Sequence, residues 1–271
     1  MKGGVAAMIA AAGQLAPTWS RGRLLVAAVV DEEHESLGAT FLARDWKADA
    51  AIVTEPTDLA VAIGHKGFAW LEIVTRGRAA HGSRPKEGRD AILRMGRVLA
   101  ALEAHDRELQ RRAPVDLQGT GSLHASLING GRELSSYPDQ CTLTLERRTL
   151  PGETLGVAME EVEEIIESLR AADTEFEASA RPIFGRDAYE INPSERLPAS
   201  LVDAAQSVGC KPGRVGMTFW TDAAILGGAG IPSVLFGPGG AGLHSAEEYV
   251  RVEDVRLCRD TLAALARNFT R

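Results

Sequence analysis

The sequence predicts an α/β protein built from a parallel-rich sheet with helices on both faces, interrupted by an inserted ferredoxin-like βαββαβ domain. The first part is predicted because near-continuous apolar runs at residues 24–30 and 50–54 alternate with helical segments. Such runs are typical of parallel strands that are buried on both faces. The inserted domain is predicted because the pattern between residues 67 and 183 becomes strand, helix, strand, strand, helix, strand.

This order of elements divides the chain into two domains. Residues 1–63 form the first part of the main domain, residues 64–184 form the inserted domain, and residues 185–271 form the second part of the main domain. The main domain is therefore expected to be assembled from two separate stretches of the chain.

The first stretch alternates helices and strands. Residues 5–15 are rich in alanine and predict a helix, which Pro17 and the polar residues after it end. Residues 24–30 predict the first strand, residues 36–44 predict a short helix, and residues 50–54 predict a second strand.

The inserted domain combines alternating strands with amphipathic helices. Its predicted strands are residues 67–76, 122–129, 140–149 and 174–183, and its predicted helices are residues 89–109 and 153–170. The last stretch returns to the first pattern, with predicted helices at residues 197–208, 221–228 and 254–271, and a strand at residues 231–236 that precedes a glycine-rich loop.

Composition and net charge narrow the classes of function and the cellular compartment that the sequence allows. The chain has 271 residues and a net charge of -7, which argues against binding to nucleic acid or to an anionic membrane. The cysteines are Cys141, Cys210 and Cys258. Their odd number and wide spacing argue against a disulfide framework, so we expect a cytoplasmic protein. The first twelve residues predict a helix rather than a secretory signal.

Acidic and imidazole side chains follow three of the predicted strands. Glu32 and Glu33 follow the first strand, Glu55 follows the second, and His244 comes after the glycine-rich loop. Because strand ends in one sheet meet at one edge, these side chains are expected to lie together. Carboxylates and imidazole suit zinc or cobalt. Taken singly, each acid is more typical of a helix cap or a solvated turn.

A set of motifs along the whole chain occurs in the order of one enzyme family. The motifs are Met1-Lys2-Gly3-Gly4, Asp31-Glu32-Glu33, Thr54-Glu55-Pro56, His81 within residues 77–85, Arg148 before Pro151-Gly152-Glu153, Gly237-Pro238-Gly239, and His244 at the start of residues 244–250. The set resembles the acetylornithine deacetylase / succinyl-diaminopimelate desuccinylase / aminoacylase / glutamate carboxypeptidase family of zinc metallohydrolases. The resemblance implies a zinc-peptidase-like fold with a dimerisation, or lid, domain.

The resemblance also implies an activity. Members are metal-dependent hydrolases of amide or peptide bonds that act as deacylases or exopeptidases on N-acyl amino acids or small peptides. They hold two zinc ions per site, and cobalt is an alternative. By this resemblance Glu32 is the general base, Glu33 and His244 bind one zinc, and Glu55 binds the other.

Further roles follow from the same resemblance. His81 stabilises the oxyanion, Arg148 holds the substrate carboxylate, and Gly237 and Gly239 line the substrate pocket with backbone donors. Without the resemblance, His81 is a surface residue in a turn, Arg148 is a cation paired with Glu146, and the glycines form a simple loop. The inserted domain is expected to form a homodimer.

The sequence departs from the family pattern at its beginning. Family members carry a preceding segment with a His-x-Asp motif and a metal-bridging Asp directly before Met-Lys-Gly-Gly, whereas this sequence begins at Met1. We therefore expect an incomplete metal site and impaired hydrolysis by this chain. The alternative is a non-catalytic dimerising remnant or a binding protein of the same fold.

Overall fold

A computed structural model describes residues 1–270, and the chain divides into two compact units. Unit 1 comprises Met1–His65 and the chain from Tyr189 onward, and unit 2 comprises Lys66–Ala188. Both units combine helices with a sheet, so the predicted α/β fold class is confirmed. No helix in the described part of the chain has the length and apolar character needed to cross a membrane.

The helices and strands are numbered in chain order. The helices are α1 (Lys2–Leu15), α2 (Leu37–Asp45), α3 (Ala91–Arg111), α4 (Leu155–Ala172), α5 (Arg196–Ser207), α6 (Ala223–Gly228) and α7 (Val252–Phe269). The strands are β1 (Ala51–Val53), β2 (Val61–His65), β3 (Gly67–Arg76), β4 (Ser122–Gly130), β5 (Gln140–Thr149), β6 (Glu177–Arg186), β7 (Tyr189–Glu190), β8 (Arg214–Met217), β9 (Ser233–Leu235), β10 (Gly240–Ala241) and β11 (Tyr249–Val250).

The main sheet of unit 1 is mixed. Its strand order is β1-β9-β2-β7, and β8 also pairs with β2. The pairs β1–β9 and β2–β8 are parallel, whereas β2 runs antiparallel to β7 and β9. Val61, Leu201, Phe236 and Cys258 belong to the buried core of this unit. Of the acidic residues predicted from the sequence as metal ligands or base, Glu55 follows the short strand β1.

The prediction of a strand at residues 24–30 is wrong. This stretch, the 24–30 segment, is extended but pairs with no strand within residues 1–270. Its apolar side chains are largely exposed, and Val30 reaches 70% exposure. The apolar composition indicated burial, but a strand also requires a neighbouring backbone with which to exchange hydrogen bonds, and the described chain provides none there.

Unit 2 has the predicted ferredoxin-like arrangement. Its antiparallel sheet has the order β4-β5-β3-β6. Along β5, buried Cys141, Leu143 and Leu145 alternate with more exposed residues, so one face of the sheet is apolar. The buried faces of α3 and α4 contribute Met95 and Val162 to the same core.

Candidate active site

The acidic turn after the 24–30 segment gives its three acids different roles. Asp31 adopts a positive φ of 71°, and its Oδ2 accepts hydrogen bonds from the N–H groups of Glu35 and Leu37, both at 3.3 Å. Asp31 therefore performs the capping role that the sequence also allowed for this turn. Glu32 and Glu33 are not used in this way.

Glu55 lies just beyond β1 and is 8% exposed. Its Oε1 has no hydrogen-bond partner within the described chain. Burial, followed by the negative charge of Glu32, raises the pKa of Glu55 from 4.5 to about 8. An unpaired buried carboxyl of this kind is costly in its charged form unless a cation or a proton compensates it.

Glu32 shares this environment. Burial, followed by the charges of Asp222 and then Glu33, raises the pKa of Glu32 from 4.5 to about 7. A carboxyl with a pKa near neutrality can both accept and release a proton at physiological pH. Glu32, Glu33, Glu55 and Asp222 therefore form one electrostatic group, called here the acidic cluster.

Asp222 is the remaining member of this cluster. It lies at the start of α6, in a stretch that resembles the family, and the sequence predicted that it supports the site by capping a helix or by hydrogen bonding to a ligand, without binding metal directly. Its side chain makes no capping hydrogen bond, is buried, and raises the pKa of both Glu32 and Glu55 by its charge. An acid directly before a short helix was the available signal.

His244 and Glu33 come together at the surface of unit 1. His244 lies between β10 and β11 with a positive φ of 61°, and its Nε2 is 3.9 Å from Oε2 of Glu33. The His244 side chain is 78% exposed. The predicted ligand pair is therefore close together and open, and its role as a ligand pair stays a prediction.

These donors fit part of a metal site. Carboxylates and an imidazole are the ligands that zinc takes in catalytic sites, and the unpartnered Oε1 of Glu55 offers a further buried donor. No three ligating side chains within residues 1–270 converge on a single position that could hold an ion. The residues present thus offer at most a partial coordination shell, and the roles of Glu33, His244 and Glu55 as ligands stay predictions.

The glycine-rich loop is held tightly against the loop that carries Glu55. A Cβ on Gly237 would lie 2.1 Å from the backbone oxygen of Glu55, so only glycine fits there. The N–H of Gly237 donates to Thr57 Oγ1 at 3.1 Å, and the N–H of Gly239 donates to Asp254 Oδ2 at 3.0 Å. Both N–H groups assigned to substrate by resemblance already have partners within the protein.

His81 belongs to unit 2, in the turn between β3 and α3. Its Nδ1 accepts a hydrogen bond from the N–H of Ser83 at 3.2 Å and lies 2.8 Å from Ser83 Oγ. Because Nδ1 is the acceptor, the neutral ring carries its proton on Nε2. An exposed imidazole that presents an N–H is suited to stabilise an oxyanion.

Arg148 also belongs to unit 2, on β5. Its Nε donates to Glu146 Oε1 at 2.6 Å, and its guanidinium carbon lies 5.7 Å from the ring centre of Phe68. Glu146 also accepts a hydrogen bond from Trp70 Nε1 at 2.8 Å. The pairing with Glu146 is the alternative that the residues alone suggested, and substrate binding by Arg148 stays a prediction.

Comparison with known proteins identifies the family. Residues 1–268 match peptidase family M20/M25/M40. The chain belongs to this family. Acetylornithine deacetylase of Myxococcus xanthus is 32% identical over 254 residues, which cover 91% of this chain and 65% of that protein. A putative succinyl-diaminopimelate desuccinylase DapE of Mycobacterium tuberculosis is 30% identical over 224 residues, covering 80% of this chain and 58% of that protein.

Solved structures of M20-type peptidases share the fold. Aminopeptidase PepT from Bacillus cereus superposes with a TM-score of 0.79 at 18% identity, covering 97% of this chain and 69% of that chain. A tripeptidase from Staphylococcus aureus gives a TM-score of 0.78 at 20% identity with the same coverages. This chain spans 65% and 58% of the length of the two curated relatives described above.

Proposed function

We propose that this protein is a metal-dependent hydrolase of amide bonds, which acts on N-acyl amino acids or small peptides. The observation that carries the proposal is the acidic cluster of unit 1, in which burial and mutual repulsion raise the pKa of Glu32 to about 7 and that of Glu55 to about 8. Perturbed carboxyls that lie together are typical of catalytic sites. The curated relatives described above are named as a deacetylase and a desuccinylase.

Zinc is the proposed metal and cobalt is the alternative, with Glu33, His244 and Glu55 as ligands from this chain. A bound metal would polarise the scissile carbonyl and lower the pKa of a water molecule. Glu32 would accept the proton from the attacking water and return it to the leaving amine. A pKa of about 7 suits both steps, because the acid and its conjugate base are then both populated near neutral pH.

The inserted domain supplies two further proposed groups. Hydrogen bonding from the backbone of Ser83 to Nδ1 of His81 leaves the Nε2 proton to donate to an oxyanion. The guanidinium of Arg148 would bind the free carboxylate of the substrate with parallel hydrogen bonds, in competition with Glu146.

Hydrolysis of acetylated amino acids and dipeptides by the zinc- or cobalt-loaded chain tests the proposal. We expect Glu32→Gln to lower kcat by about a hundred- to ten-thousandfold, because the proton acceptor is lost. Glu247→Gln, an exposed acid in the hairpin that carries His244, is the matched control and is expected to keep the wild-type rate. Equal rates for wild type and Glu32→Gln would contradict the proposal.

A second candidate function is a non-catalytic binding or assembly protein. It is favoured by one observation: among the residues that the structure describes, no three ligating side chains converge on a metal position. For the same reason we propose that hydrolysis by this chain alone is slow. Undetectable turnover with every metal, together with a stable dimer, would support the second candidate over the first.

We also propose that unit 2 forms a homodimer through β4. This strand lies at the edge of its sheet, and its outer part is exposed, including Leu127 at 72% and Ile128. Leu93 of α3 is another exposed apolar residue in this unit. A long apolar edge strand is prone to pair with another chain, and a second copy placed antiparallel would bury it.

Light scattering after size-exclusion chromatography measures this dimer. We expect the wild-type chain to elute as a dimer and Ile128→Asp as a monomer, because a buried unpaired charge opposes association. Ile9→Asp changes an exposed residue of α1 and is expected to remain dimeric.

A cytoplasmic location is proposed from the three free, buried cysteines.

A further inference from the structure

We propose that Arg251 is a positioning residue that fixes the hairpin carrying His244 against the loop carrying Glu55. Arg251, Asp58 and Asp254 are called here the clamp. The proposal rests on the function proposed above, because it gives these residues a role in shaping the same site. The clamp could not be predicted from the sequence, because Asp58 lies far along the chain from Arg251 and Asp254.

The first side of the clamp holds the base of the hairpin. Arg251 directly follows β11, and its N–H donates to the carbonyl of Gly239 at 2.9 Å. The N–H of Gly239 donates in turn to Asp254 Oδ2 at 3.0 Å, and the Nε of Arg251 donates to the same oxygen at 2.9 Å. One carboxylate thus fixes both ends of the β10–β11 hairpin, at whose tip His244 lies.

The second side of the clamp reaches the loop that follows Glu55. The Nη2 of Arg251 donates to Asp58 Oδ1. Asp58 and Leu59 both adopt positive φ values, 53° and 61°, and the N–H of Leu59 donates to the carbonyl of Gly237 at 2.9 Å. Positive φ values strain residues other than glycine. Two such residues in succession persist only when surrounding contacts hold them.

The absence of a side chain at Gly239 leaves room for the clamp. A Cβ at this position would lie 1.8 Å from Nη2 of Arg251 and 1.9 Å from Oδ1 of Asp58. No side chain fits in that space, so the guanidinium and the carboxylate pass directly over the Gly239 backbone. This accounts for a glycine at position 239 independently of any contact with substrate.

The expected effect of the clamp is local. The Arg251 and Asp58 side chains are partly exposed, and exposed ion pairs contribute little to global stability. The planar guanidinium contacts two carboxylates at once, Asp58 on a loop and Asp254 in the first turn of α7, a geometry that a lysine ammonium reproduces poorly. Loss of the clamp should therefore loosen the His244 hairpin and the loop at residues 56–60, while the folded core of unit 1 persists.

Hydrogen exchange of the metal-free full chain tests this directly. We expect Arg251→Gln and Asp58→Asn to speed exchange roughly tenfold at residues 240–250 and 56–60, with Arg251→Lys intermediate. Core peptides of α5 and β9 should exchange as in wild type. Arg256→Gln, which removes another arginine pair on α7, with Glu253 at 3.3 Å, should change nothing.

Cobalt titration supplies the second measurement. We expect Arg251→Gln to weaken cobalt binding about tenfold or more, as is typical when groups that orient metal ligands are removed, and Arg256→Gln to bind as wild type does. Unchanged exchange and unchanged cobalt affinity in Arg251→Gln would overturn the clamp. A wild-type chain that binds neither zinc nor cobalt would instead overturn the proposed function, and the exchange experiment would still decide the clamp.

Discussion

The two units of this protein differ in how completely their sheets are partnered. In unit 2 the alternating strands β3 and β5 are each flanked by strands on both sides, and α3 and α4 contribute to the core on the apolar face. In unit 1 the main strands have only two to five residues, and the apolar 24–30 segment has no strand partner in the described chain. The acidic cluster begins directly after that segment.

The difference places the acidic cluster in the unit with the shorter strands. Unit 2 builds its sheet and its core within one contiguous stretch of the chain, and its longer strands alternate between buried and exposed residues, a pattern that is visible in the local sequence. Unit 1 places ionisable groups on loops where burial raises their pKa values. Hydrogen exchange and stability measurements test this contrast.

Rates of hydrogen exchange should differ most strongly between the sheet of unit 2 and the 24–30 segment of unit 1. Amides in β3 and β5 should exchange only through global or near-global opening, whereas those at residues 24–30 should exchange several orders of magnitude faster, because they lack ladder hydrogen bonds. Peptide-resolved mass spectrometry measures both regions in one sample. Equal protection of the 24–30 segment and β5 would remove the contrast.

Removing a buried cation from unit 2 should cost more stability than removing an exposed one from unit 1. Arg147 is 1% exposed, and its guanidinium binds Glu161 at 2.8 Å and Glu153 at 3.1 Å. Arg147→Gln should lower the free energy of unfolding by about 3–5 kcal/mol, since Glu153 and Glu161 both lose the buried guanidinium that contacts them.

The control is Arg44→Gln, which breaks the exposed pair with Asp45 at 2.6 Å. Its expected effect on the free energy of unfolding is within about 0.5 kcal/mol. Urea unfolding of both variants measures the difference, and similar losses in the two would contradict the account of the Arg147 network.

The same substitution, Glu→Gln, should have opposite signs in the two units. The contact with His105 at 3.2 Å and the hydrogen bonds from Arg147 outweigh burial and lower the pKa of Glu161 from 4.5 to about 2. The charge of Glu161 therefore stabilises the folded state above pH 4.5, and this contribution is lost as the pH falls toward about 2. For Glu55, whose folded pKa is about 8, stability is instead lost as the pH rises from 4.5 through 8.

Thermal unfolding in the presence of a chelator checks these signs. Glu55→Gln should raise the melting temperature at about pH 9 and change it little at about pH 5, because the neutral side chain mimics the protonated form. Glu161→Gln should lower the melting temperature at neutral pH, and the loss should fade in acid. Each unit of pKa shift corresponds to about 1.4 kcal/mol. If Glu55→Gln and Glu161→Gln changed the melting temperature in the same direction at neutral and alkaline pH, the assigned directions of the two pKa shifts would be refuted.

Local pattern was sufficient to predict most of unit 2. The predicted strands at residues 67–76 and 140–149 match β3 and β5, because a half-buried antiparallel strand alternates visibly along the sequence. In unit 1, β2 was missed and the 24–30 segment was assigned wrongly. Short buried strands are specified by distant neighbours, such as the parallel pairing of β2 with β8, and this pairing leaves no periodic signal.

Prediction of the candidate site from the sequence has the same limit. The sequence predicted that Glu33 and His244 would meet at the edge of one sheet. Their side chains are 3.9 Å apart, although residues 24–30 form no strand and His244 lies in the separate β10–β11 hairpin. The sequence also predicted that Asp222 supports the site, but it did not indicate that Asp222 raises the pKa of Glu32 and Glu55 or that Arg251 contacts Asp58. Those contacts depend on how loops distant in the chain approach each other, which residue spacing does not encode.

The proposed ligands Glu33, Glu55 and His244 should together bind a divalent metal. Equilibrium dialysis against zinc, followed by elemental analysis, tests it on wild type, Glu33→Gln, Glu55→Gln and the control Glu247→Gln. We predict that wild type and the control retain zinc, whereas both site variants bind it at least about tenfold more weakly. Wild-type protein without bound zinc, or equal zinc retention in all four proteins, would contradict the claim.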